Sequence, residues 1–436
     1  VDVGVLVVGA AATVLAGVLA GIPAARRAIA VDLTRDLRGG DRSGSARGQH
    51  RIAGALIASQ VALSLPLLFS AALLLRTFQA LSGTDPGFQT AGVVTFAVDA
   101  SRARYPAARE VENYFAAVDR ALRALPGVVD VATTSELPYN GNSSSDVFLI
   151  KERGDQGVNN PQVRTSTVSP GYWKILGVPV LAGRTFGLND GGDTPRVVVI
   201  NEALAKRYYG GEDPVGHHIR FNNQDCEIIG VVGSMRMSNV TEPPQPELYA
   251  PSTQIPQRVR YLLLKVSAPP PQVITQAQRV LRDIDPTVAL TEISTMAELF
   301  AAAVAPQRFR ATLVSGLGVL ALLLSALGIY GVVAHAVSRQ TREIGIRMAL
   351  GEEQGRATQR VILSTVGTAA GGAIAGVGIA LALGRWLSRF LVGVEAQDPA
   401  MLSASVALLL MVAAAAAYFP ARRASHADPL VALRSE

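Results

Sequence analysis

The chain has 436 residues, of which 49% are hydrophobic and only 17% are charged. Its aliphatic residues are concentrated in long blocks, which argues against a protein made entirely of soluble domains. The net charge of +6 does not indicate a nucleic-acid partner, because the basic residues stand in short stretches beside the apolar blocks and form no basic face with interleaved aromatic residues.

Five apolar blocks without Asp, Glu, Lys or Arg are long enough to cross a bilayer, which takes about 20 helical residues. The blocks are residues 3–25, 52–75, 311–338, 361–384 and 399–421. A charge at the bilayer centre costs roughly 3 kcal/mol, so a lipid environment explains why all five blocks lack one. The sequence therefore predicts five membrane-spanning helices.

Arginines decide the orientation of these helices, since short cytoplasmic loops carry an excess of basic residues. They cluster after the first, third and fifth blocks. These arginines are Arg26, Arg27, Arg35, Arg38, Arg42, Arg47 and Arg51, then Arg339, Arg342, Arg347, Arg356 and Arg360, and finally Arg422, Arg423 and Arg434. The three stretches are predicted to be cytoplasmic, which places residues 77–305 and the short loop 391–398 outside.

Small residues stand at helix-packing spacing in two of the later blocks. They are Gly367-xxx-Gly371, Gly372-xxx-Gly376, and Gly328 near Gly331. Close helix approach in lipid needs such positions, although membrane helices also tolerate glycine in general.

The region outside the membrane has the pattern of mixed α+β subdomains and not of a β-sandwich. Alternating or apolar runs predict strands, and amphipathic periodicity predicts helices. The predicted strands are 92–100, 128–134, 196–200, 227–233, 261–267 and 291–294, and the predicted helices are 110–125, 202–209 and 271–284. The stretches 140–146 and 151–161 have the composition of loops.

Few residues carry the usual signs of chemistry. Cys226 is the single cysteine, so no intrachain disulfide forms, and we expect this side chain to be a small buried hydrophobe. His217 and His218 are adjacent and point in different directions. Ser135 and Glu136 stand in no Gly-x-Ser-x-Gly turn, and the sequence has no Gly-x-x-x-x-Gly-Lys-Ser/Thr phosphate loop. We predict no catalytic, cofactor-binding or metal-binding residue.

Four separated segments resemble one family. TREIGIRMALG (341–351) is similar to the cytoplasmic coupling segment of MacB/FtsX-type ABC permeases. SPGYWKILGVPVLAGRTF (169–186), NEALAKRYYGGEDPVG (201–216) and EIIGVVGSMRMSNVTEPPQPELYAP (227–251) resemble the periplasmic core domain of that family. The order also matches: one helix, a large external domain, then three helices with the coupling segment after the first of them.

The resemblance implies a fold and a partner. The fold is a multi-span α-helical membrane protein with a large α+β extracytoplasmic domain, like the MacB periplasmic core, and an FtsX-like C-terminal helical domain. ATP hydrolysis is expected on a separate ABC ATPase subunit that docks on the coupling segment. The implied coupling residues are Arg342, Glu343, Ile344, Gly345, Ile346, Arg347, Met348, Leu350 and Gly351.

The coupling segment also makes sense from its residues alone. As a helix it places Glu343 and Arg347 at i,i+4, a favourable spacing for an ion pair, with Ile344 and Met348 beside them. On this pattern alone, a simple interfacial helix is the alternative.

An internal repeat indicates a duplicated permease. Arg26-Arg27-Ala28, Asp32 and Leu37-Arg38 recur at an offset of 396 as Arg422-Arg423-Ala424, Asp428 and Leu433-Arg434. We therefore expect residues 1–25 to be the last helix of a preceding unit, which makes a second permease unit, fused upstream or as a dimer partner, a predicted partner.

The predicted domain boundaries follow. They are a transmembrane helix (1–25), a cytoplasmic linker (26–51), a transmembrane helix (52–76), the MacB-like core (77–305) and the FtsX-like permease domain (306–436) with its coupling segment at 339–360. An inner-membrane export or efflux permease is the predicted function. A membrane regulator of an external cell-wall hydrolase and a membrane-anchored sensor are the alternatives.

Overall fold

The computed structural model describes residues 42–141, 144–150, 162–187, 189–192, 194–349, 352–388, 395 and 397–426. Side chains are described throughout these ranges except at 42–50, 339–349, 387 and 424. The first predicted span, 3–25, and the predicted loop 151–161 lie outside the described residues.

Helices and strands are grouped along the described chain, with long helices flanking an α+β region. The α-helices are Arg42–Ser82 (α1), Ala108–Arg123 (α2), Tyr172–Leu176 (α3), Glu202–Tyr209 (α4), Pro270–Ile284 (α5), Met296–Ala349 (α6), Gln354–Leu387 (α7) and Pro399–Ser425 (α8). The strands are Val93–Asp99 (β1), Val128–Thr134 (β2), Ser145–Ile150 (β3), Gln162–Val168 (β4), Val180–Gly183 (β5), Val197–Asn201 (β6), His218–Phe221 (β7), Gln224–Val232 (β8), Glu247–Pro251 (β9), Val259–Val266 (β10) and Thr291–Thr295 (β11).

Four helices of the described chain contain stretches long and apolar enough to cross a membrane. The stretches are Arg51–Ser82, Met296–Ser338, Gln354–Trp386 and Pro399–Arg423. Each contains one of the last four apolar blocks, so these four predicted spans are confirmed. Large apolar side chains on them remain exposed within the chain, including Leu327 at 68% and Ile374 at 77%, as expected for surfaces that lipid covers.

The external region begins and ends in one antiparallel sheet with the strand order β11-β1-β10-β2. Helices α2 and α5 pack on one of its faces through side chains that include Phe115, Val118 and Leu281, against Phe96 and Leu264 of the strands. This β-α-β…β-α-β arrangement is ferredoxin-like. We call it the split-sheet subdomain, because its strands β2 and β10 are separated in sequence by a second subdomain.

The second subdomain comprises residues 135–258 and is called the inserted subdomain. Its strands pair in the order β4-β3-β7-β8-β6-β9, and β9 pairs again with β4, so the ladder closes on itself. The enclosed core contains Phe148, Ile200 and Leu248. One residue pair, Thr134 with Val168, continues the sheet from β2 into β4.

Helix α4 shows why the local sequence specifies this structure. It spans Glu202–Tyr209, as the pattern predicts. Asn201 is its N-cap, and the side-chain oxygen of Asn201 accepts a hydrogen bond from the Leu204 amide at 2.9 Å. Gly210 ends the helix in the left-handed region at φ 60°, where glycine is favoured.

The predicted loop 140–146 is wrong at its C-terminal end. Residues 140–146 were expected to form a loop because they are rich in Asn, Ser and Gly, but β3 already begins at Ser145. This strand pairs with β4 on one side and with β7 on the other. Its backbone hydrogen bonds outweigh the weak strand preference of its first two residues.

Candidate functional site

Helix α6 is the element that leads from the external sheet toward the predicted coupling segment. It has 54 residues; at 1.5 Å per residue this is about 80 Å, against a bilayer core of ~30 Å. It starts directly after β11 and ends at Ala349, so it includes the first nine residues of the predicted coupling segment. The spanning helix and residues 341–349 are therefore one continuous helix, not two helices joined by a loop.

The start of α6 is fixed to the sheet by a capping box. The Glu298 amide donates to Oγ1 of Thr295 at 3.1 Å, and the Thr295 amide donates to the Glu298 carboxylate at 2.8 Å. Since Thr295 is also the last residue of β11, the strand and the helix share one anchored residue. β11 pairs with β1, so this anchor belongs to the split-sheet subdomain.

A small apolar cluster surrounds the place where α1 and α6 meet the external domain. Leu81 of α1 and Val304 of α6 are both buried and share the cluster with Val240 of the inserted subdomain. The ring of Tyr139 lies 6.0 Å from that of Phe300. Both helices are thus packed against the inserted subdomain at this end.

The cytoplasmic part of α1 contacts α6 through polar groups. Nε2 of Gln60 donates to the Leu324 carbonyl oxygen at 2.6 Å. The hydroxyls of Ser64 and Ser325 lie 2.7 Å apart, and both residues are buried. Interhelical hydrogen bonds of this kind hold helices together in lipid, where apolar contact gives no hydrophobic driving force.

The same part of α1 contacts α7 through glycines. A methyl group added at Gly372 would overlap the Ala58 carbonyl oxygen, and one added at Gly376 would lie 3.1 Å from Ala62. At Gly367 and Gly371 an added methyl group would meet nothing within 4 Å. Of the two predicted packing pairs on α7, the structure brings only the second against another helix of the described chain.

The external ends of α1 and α8 are joined by an ion pair between Arg76 and Asp398. Asp398 also caps α8, because its carboxylate accepts from the Ala400 amide at 2.9 Å. In the sequence analysis, position 398 appears only as the end of the predicted external loop 391–398. Its position directly before Pro399, the first residue of α8, was the available sign of a cap.

The predicted coupling residues are placed only as backbone. Arg342, Glu343, Ile344, Gly345, Ile346, Arg347 and Met348 belong to α6, and their side chains are not among those described. Leu350 and Gly351 lie outside the described residues. The helical conformation fits the predicted i,i+4 pair, and the role of these residues remains a prediction.

Directly after this segment, two arginines make contacts that sequence reasoning did not identify. Nη2 of Arg360 lies 3.2 Å from the Glu352 carboxylate, and Nε of Arg356 lies 3.7 Å from that of Glu353. These arginines served only as orientation signals in the sequence. The Glu-x-x-Arg spacing at 353–356 was a usable sign.

A buried acidic cluster lies in the inserted subdomain. Glu247 is 1% exposed and accepts hydrogen bonds from Oγ of Ser166 at 3.0 Å and Oη of Tyr249 at 2.9 Å. Burial raises the pKa of Glu247 to about 7, although these hydrogen bonds and the charge of Arg164 oppose the shift. Arg164 also pairs with the buried Glu136 at 3.1 Å. This cluster is internal and joins β4 to β9.

The remaining sequence candidates show no assembled chemistry. Cys226 is buried at 4% exposure, which confirms its expected position. The His217 ring packs against that of Tyr209 at 5.6 Å, whereas His218 is exposed on β7. Among the described residues, no group of three or more His, Cys, Asp or Glu side chains is placed to hold a metal ion.

Two family models match the chain. The MacB-like periplasmic core domain matches residues 69–284, and the FtsX-like permease C-terminal domain matches residues 315–429. The first contains both external subdomains up to α5. The second contains most of α6 and all of α7 and α8.

Curated relatives carry permease and export names. The chain is 26% identical over 331 residues to the uncharacterized ABC transporter permease YknZ of Bacillus subtilis, over 73% of this chain and 78% of that protein. It is 25% identical over 273 residues to the pyoverdine export ATP-binding/permease protein PvdT of Pseudomonas aeruginosa, and 26% identical over 334 residues to the macrolide export ATP-binding/permease protein MacB of Azoarcus. The matches cover 60% and 71% of this chain, but only 41% and 48% of those two proteins.

Solved structures of external domains are also similar. The periplasmic region of MacB from Actinobacillus actinomycetemcomitans matches at 16% identity with a TM-score of 0.35, over 51% of this chain and 97% of that one. The extracellular domain of the transporter YknZ from Gram-positive bacteria matches at 18% identity with a TM-score of 0.31, over 45% of this chain and 100% of that one.

Proposed function

Since the chain belongs to the MacB/FtsX-type family of ABC transporter permeases, we propose that it is the permease part of an export or efflux machine. In this proposal, ATP-driven motion of a separate ATPase subunit reaches the extracytoplasmic domain through the spanning helices. The protein is a multi-pass protein of the plasma (inner) membrane, with its MacB-like domain on the extracytoplasmic side.

The continuity of α6 is the observation that carries the proposal. One helix begins at Met296, after the capping box at Thr295, and extends to Ala349; Pro306 within it lacks one backbone hydrogen bond. A displacement of its cytoplasmic end therefore acts on the same hydrogen-bonded element that starts at the external sheet. Such transmission requires two arrangements of the element, with nucleotide state favouring one of them.

The proposed ATPase contact is the segment 342–351, at the cytoplasmic end of α6. The helical backbone of residues 342–349 supports this contact, because the i,i+4 spacing puts Glu343 and Arg347 on the same side of a helix. We propose the same domain boundaries as the sequence predicts, with a core at 77–305 and a permease domain at 306–436. A second permease unit, fused or separate, completes the proposed assembly.

Charge reversal tests the docking contact. The permease is co-reconstituted with its ATPase in lipid vesicles, and ATP hydrolysis and transport are measured for Glu343→Lys, Arg347→Glu and the double reversal. Opposed like charges at an interface cost several kcal/mol, so each single reversal should reduce permease-dependent hydrolysis more than about tenfold. Glu395→Lys reverses one charge in the external loop before α8, outside the coupling segment; it is the control variant and should keep permease-dependent hydrolysis.

The double reversal separates docking from helix stability. If Glu343 and Arg347 only stabilise their own helix, exchanging both charges restores the i,i+4 pair and hence the activity. If they contact the ATPase, activity stays low. Coupled hydrolysis at the wild-type level in both single variants would refute the assignment.

A further inference from the structure

A basic groove lies between Tyr330 of α6 and the cytoplasmic end of α8. It has a volume of about 510 Å³ and is lined by Tyr330 of α6, Phe419, Arg422 and Arg423 of α8, and His426 just beyond. No acidic side chain is among the described residues that line it. All five residues belong to the same compact unit of the chain.

The groove combines charge with open apolar surface. Phe419 is 68% exposed and Tyr330 is 41% exposed, although both are large apolar side chains. The Arg422 guanidinium lies 5.9 Å from the centre of the Tyr418 ring. Aromatic rings beside basic groups are typical of the depth at which lipid headgroups meet the acyl chains.

Within the described part of the chain, no side chain around the groove neutralises the two guanidinium groups. Among the side chains that the structure describes, no carboxylate forms an ion pair with Arg422 or Arg423. The end of α8 that carries them is fixed to α7, because Oγ1 of Thr358 and Oγ of Ser425 lie 3.0 Å apart. The positive charges are therefore presented by an anchored helix end.

We infer that this groove binds the headgroup of an anionic phospholipid of the cytoplasmic leaflet. The guanidiniums would pair with the lipid phosphate, for which their planar donor geometry is suited, and the Phe419 and Tyr330 rings would contact the upper acyl chains. Basic pockets between spanning helices on the cytoplasmic side are a known form of lipid recognition. A soluble phosphate would gain nothing from the exposed rings.

The arginine pair is also repeated in the sequence. Arg-Arg-Ala occurs at 26–28 after the first apolar block and at 422–424 after the last. An Arg-Arg pair at the predicted cytoplasmic end of both apolar blocks fits a role at the membrane surface.

Native mass spectrometry of the full chain in detergent tests the inference. Phosphatidylglycerol, phosphatidylcholine or inorganic phosphate is added, and retained lipid is titrated without any ATPase present. Wild-type protein should retain phosphatidylglycerol in preference to phosphatidylcholine. Each basic residue near an anionic surface contributes a factor of about five, so Arg422→Gln with Arg423→Gln should weaken retention about 25-fold.

A matched variant removes the same charge elsewhere on the cytoplasmic face. Arg356→Gln with Arg360→Gln, at the start of α7, should leave retention within about twofold, whereas Arg422→Lys with Arg423→Lys should keep part of it. Equal loss in the α7 variant would show a diffuse charge effect and overturn the inference.

The lipid-retention measurements on wild-type protein test the inference even if the glutamine variant does not fold. Equal retention of the two lipids by wild-type protein would overturn the inference, and so would displacement of phosphatidylglycerol by stoichiometric inorganic phosphate. Unchanged lipid retention with weaker ATPase binding in the glutamine variant would assign the groove to a protein partner instead. None of these outcomes bears on the charge-reversal test of residues 343 and 347.

Discussion

The external domain and the spanning helices bury their side chains in opposite ways. In the external domain the largest buried residues are aromatic, and Trp173 lies 5.4 Å from the rings of both Phe186 and Tyr249. In the helices the contacts between elements are made by small residues such as Gly372 and Ser64. Many large apolar side chains of the helices instead face outward, such as Leu327 and Ile374, although Phe69 and Leu73 of α1 are buried.

The surrounding solvent explains the difference. In water, burying apolar area is the dominant favourable term of folding, so large rings belong inside. In lipid, the acyl chains are as apolar as leucine, and helices gain more from close backbone approach and interhelical hydrogen bonds. A glycine on α7 therefore contributes to helix packing, just as an aromatic residue contributes to packing in the external core.

The largest expected effect is on the external core. Trp173→Ala should lower the free energy of unfolding by about 3–5 kcal/mol, because it leaves a cavity among Tyr172, Phe186 and Tyr249. The comparison variant is Ile374→Ala on α7, where the residue is 77% exposed; it should change stability by less than about 0.5 kcal/mol. Thermal unfolding of the full chain in detergent, followed by circular dichroism, measures both. Similar shifts in the two variants would contradict the comparison.

A smaller effect is expected where α7 meets α1. Gly372→Ala should cost about 1–3 kcal/mol, since its new methyl group overlaps the Ala58 backbone. The neighbouring Gly371→Ala should stabilise α7 by up to about 1 kcal/mol, because an added methyl group there meets nothing within 4 Å and alanine is the better helix former. Thermal unfolding in lipid nanodiscs gives the sign for each variant. A loss at both positions would show that the first glycine face is also packed.

Glu247 differs from the aromatic residues of the external domain's interior, because it is a buried carboxyl group. Its pKa is about 7 in the folded protein, above the ordinary value of 4.5. The folded state therefore binds the proton more tightly, and this stability is fully present below pH 4.5 and is lost as the pH rises through 7. Wild-type protein should be less stable at pH 8 than at pH 5 by ~2 kcal/mol from this group.

Glu247→Gln is the variant that isolates the effect. Glutamine keeps the shape of the protonated acid and does not titrate, so the difference between wild type and variant should shrink as the pH falls from 8 to 5. Urea unfolding at the two pH values measures it. Parallel pH profiles for the two proteins would mean that Glu247 keeps its ordinary pKa.

Elements with a plain apolar pattern could be predicted from the sequence. The last four spans and strands such as β1 and β10 were predicted correctly. Their surroundings are lipid for the spans and the protein core for the strands, and both favour apolar residues along the whole element. Strands β4 and β9 were missed. Their polar residues Ser166 and Glu247 are buried and hydrogen-bonded to each other between the two strands, and that bond is a tertiary contact without a local signal.

The two glycine pairs of α7 show the same limit. Gly367-xxx-Gly371 and Gly372-xxx-Gly376 are equivalent as sequence, and the position of α1 alone distinguishes them. At the candidate site, the pattern predicted helical structure for 341–349, but not that this helix is continuous with the span before it. A charged stretch after an apolar block fits both a separate interfacial helix and an extended one.

The insertion of residues 135–258 between β2 and β10 has a consequence for biogenesis. Strand β10 pairs with both β1 and β2, so the split sheet stays incomplete until the whole inserted segment has been synthesised and translocated. Pairings between such distant parts of a chain form slowly, and until then β1 and β2 present open edges to other nascent chains. We therefore expect the inserted subdomain to mature first and the arrival of β10 to be the late step that closes the external domain.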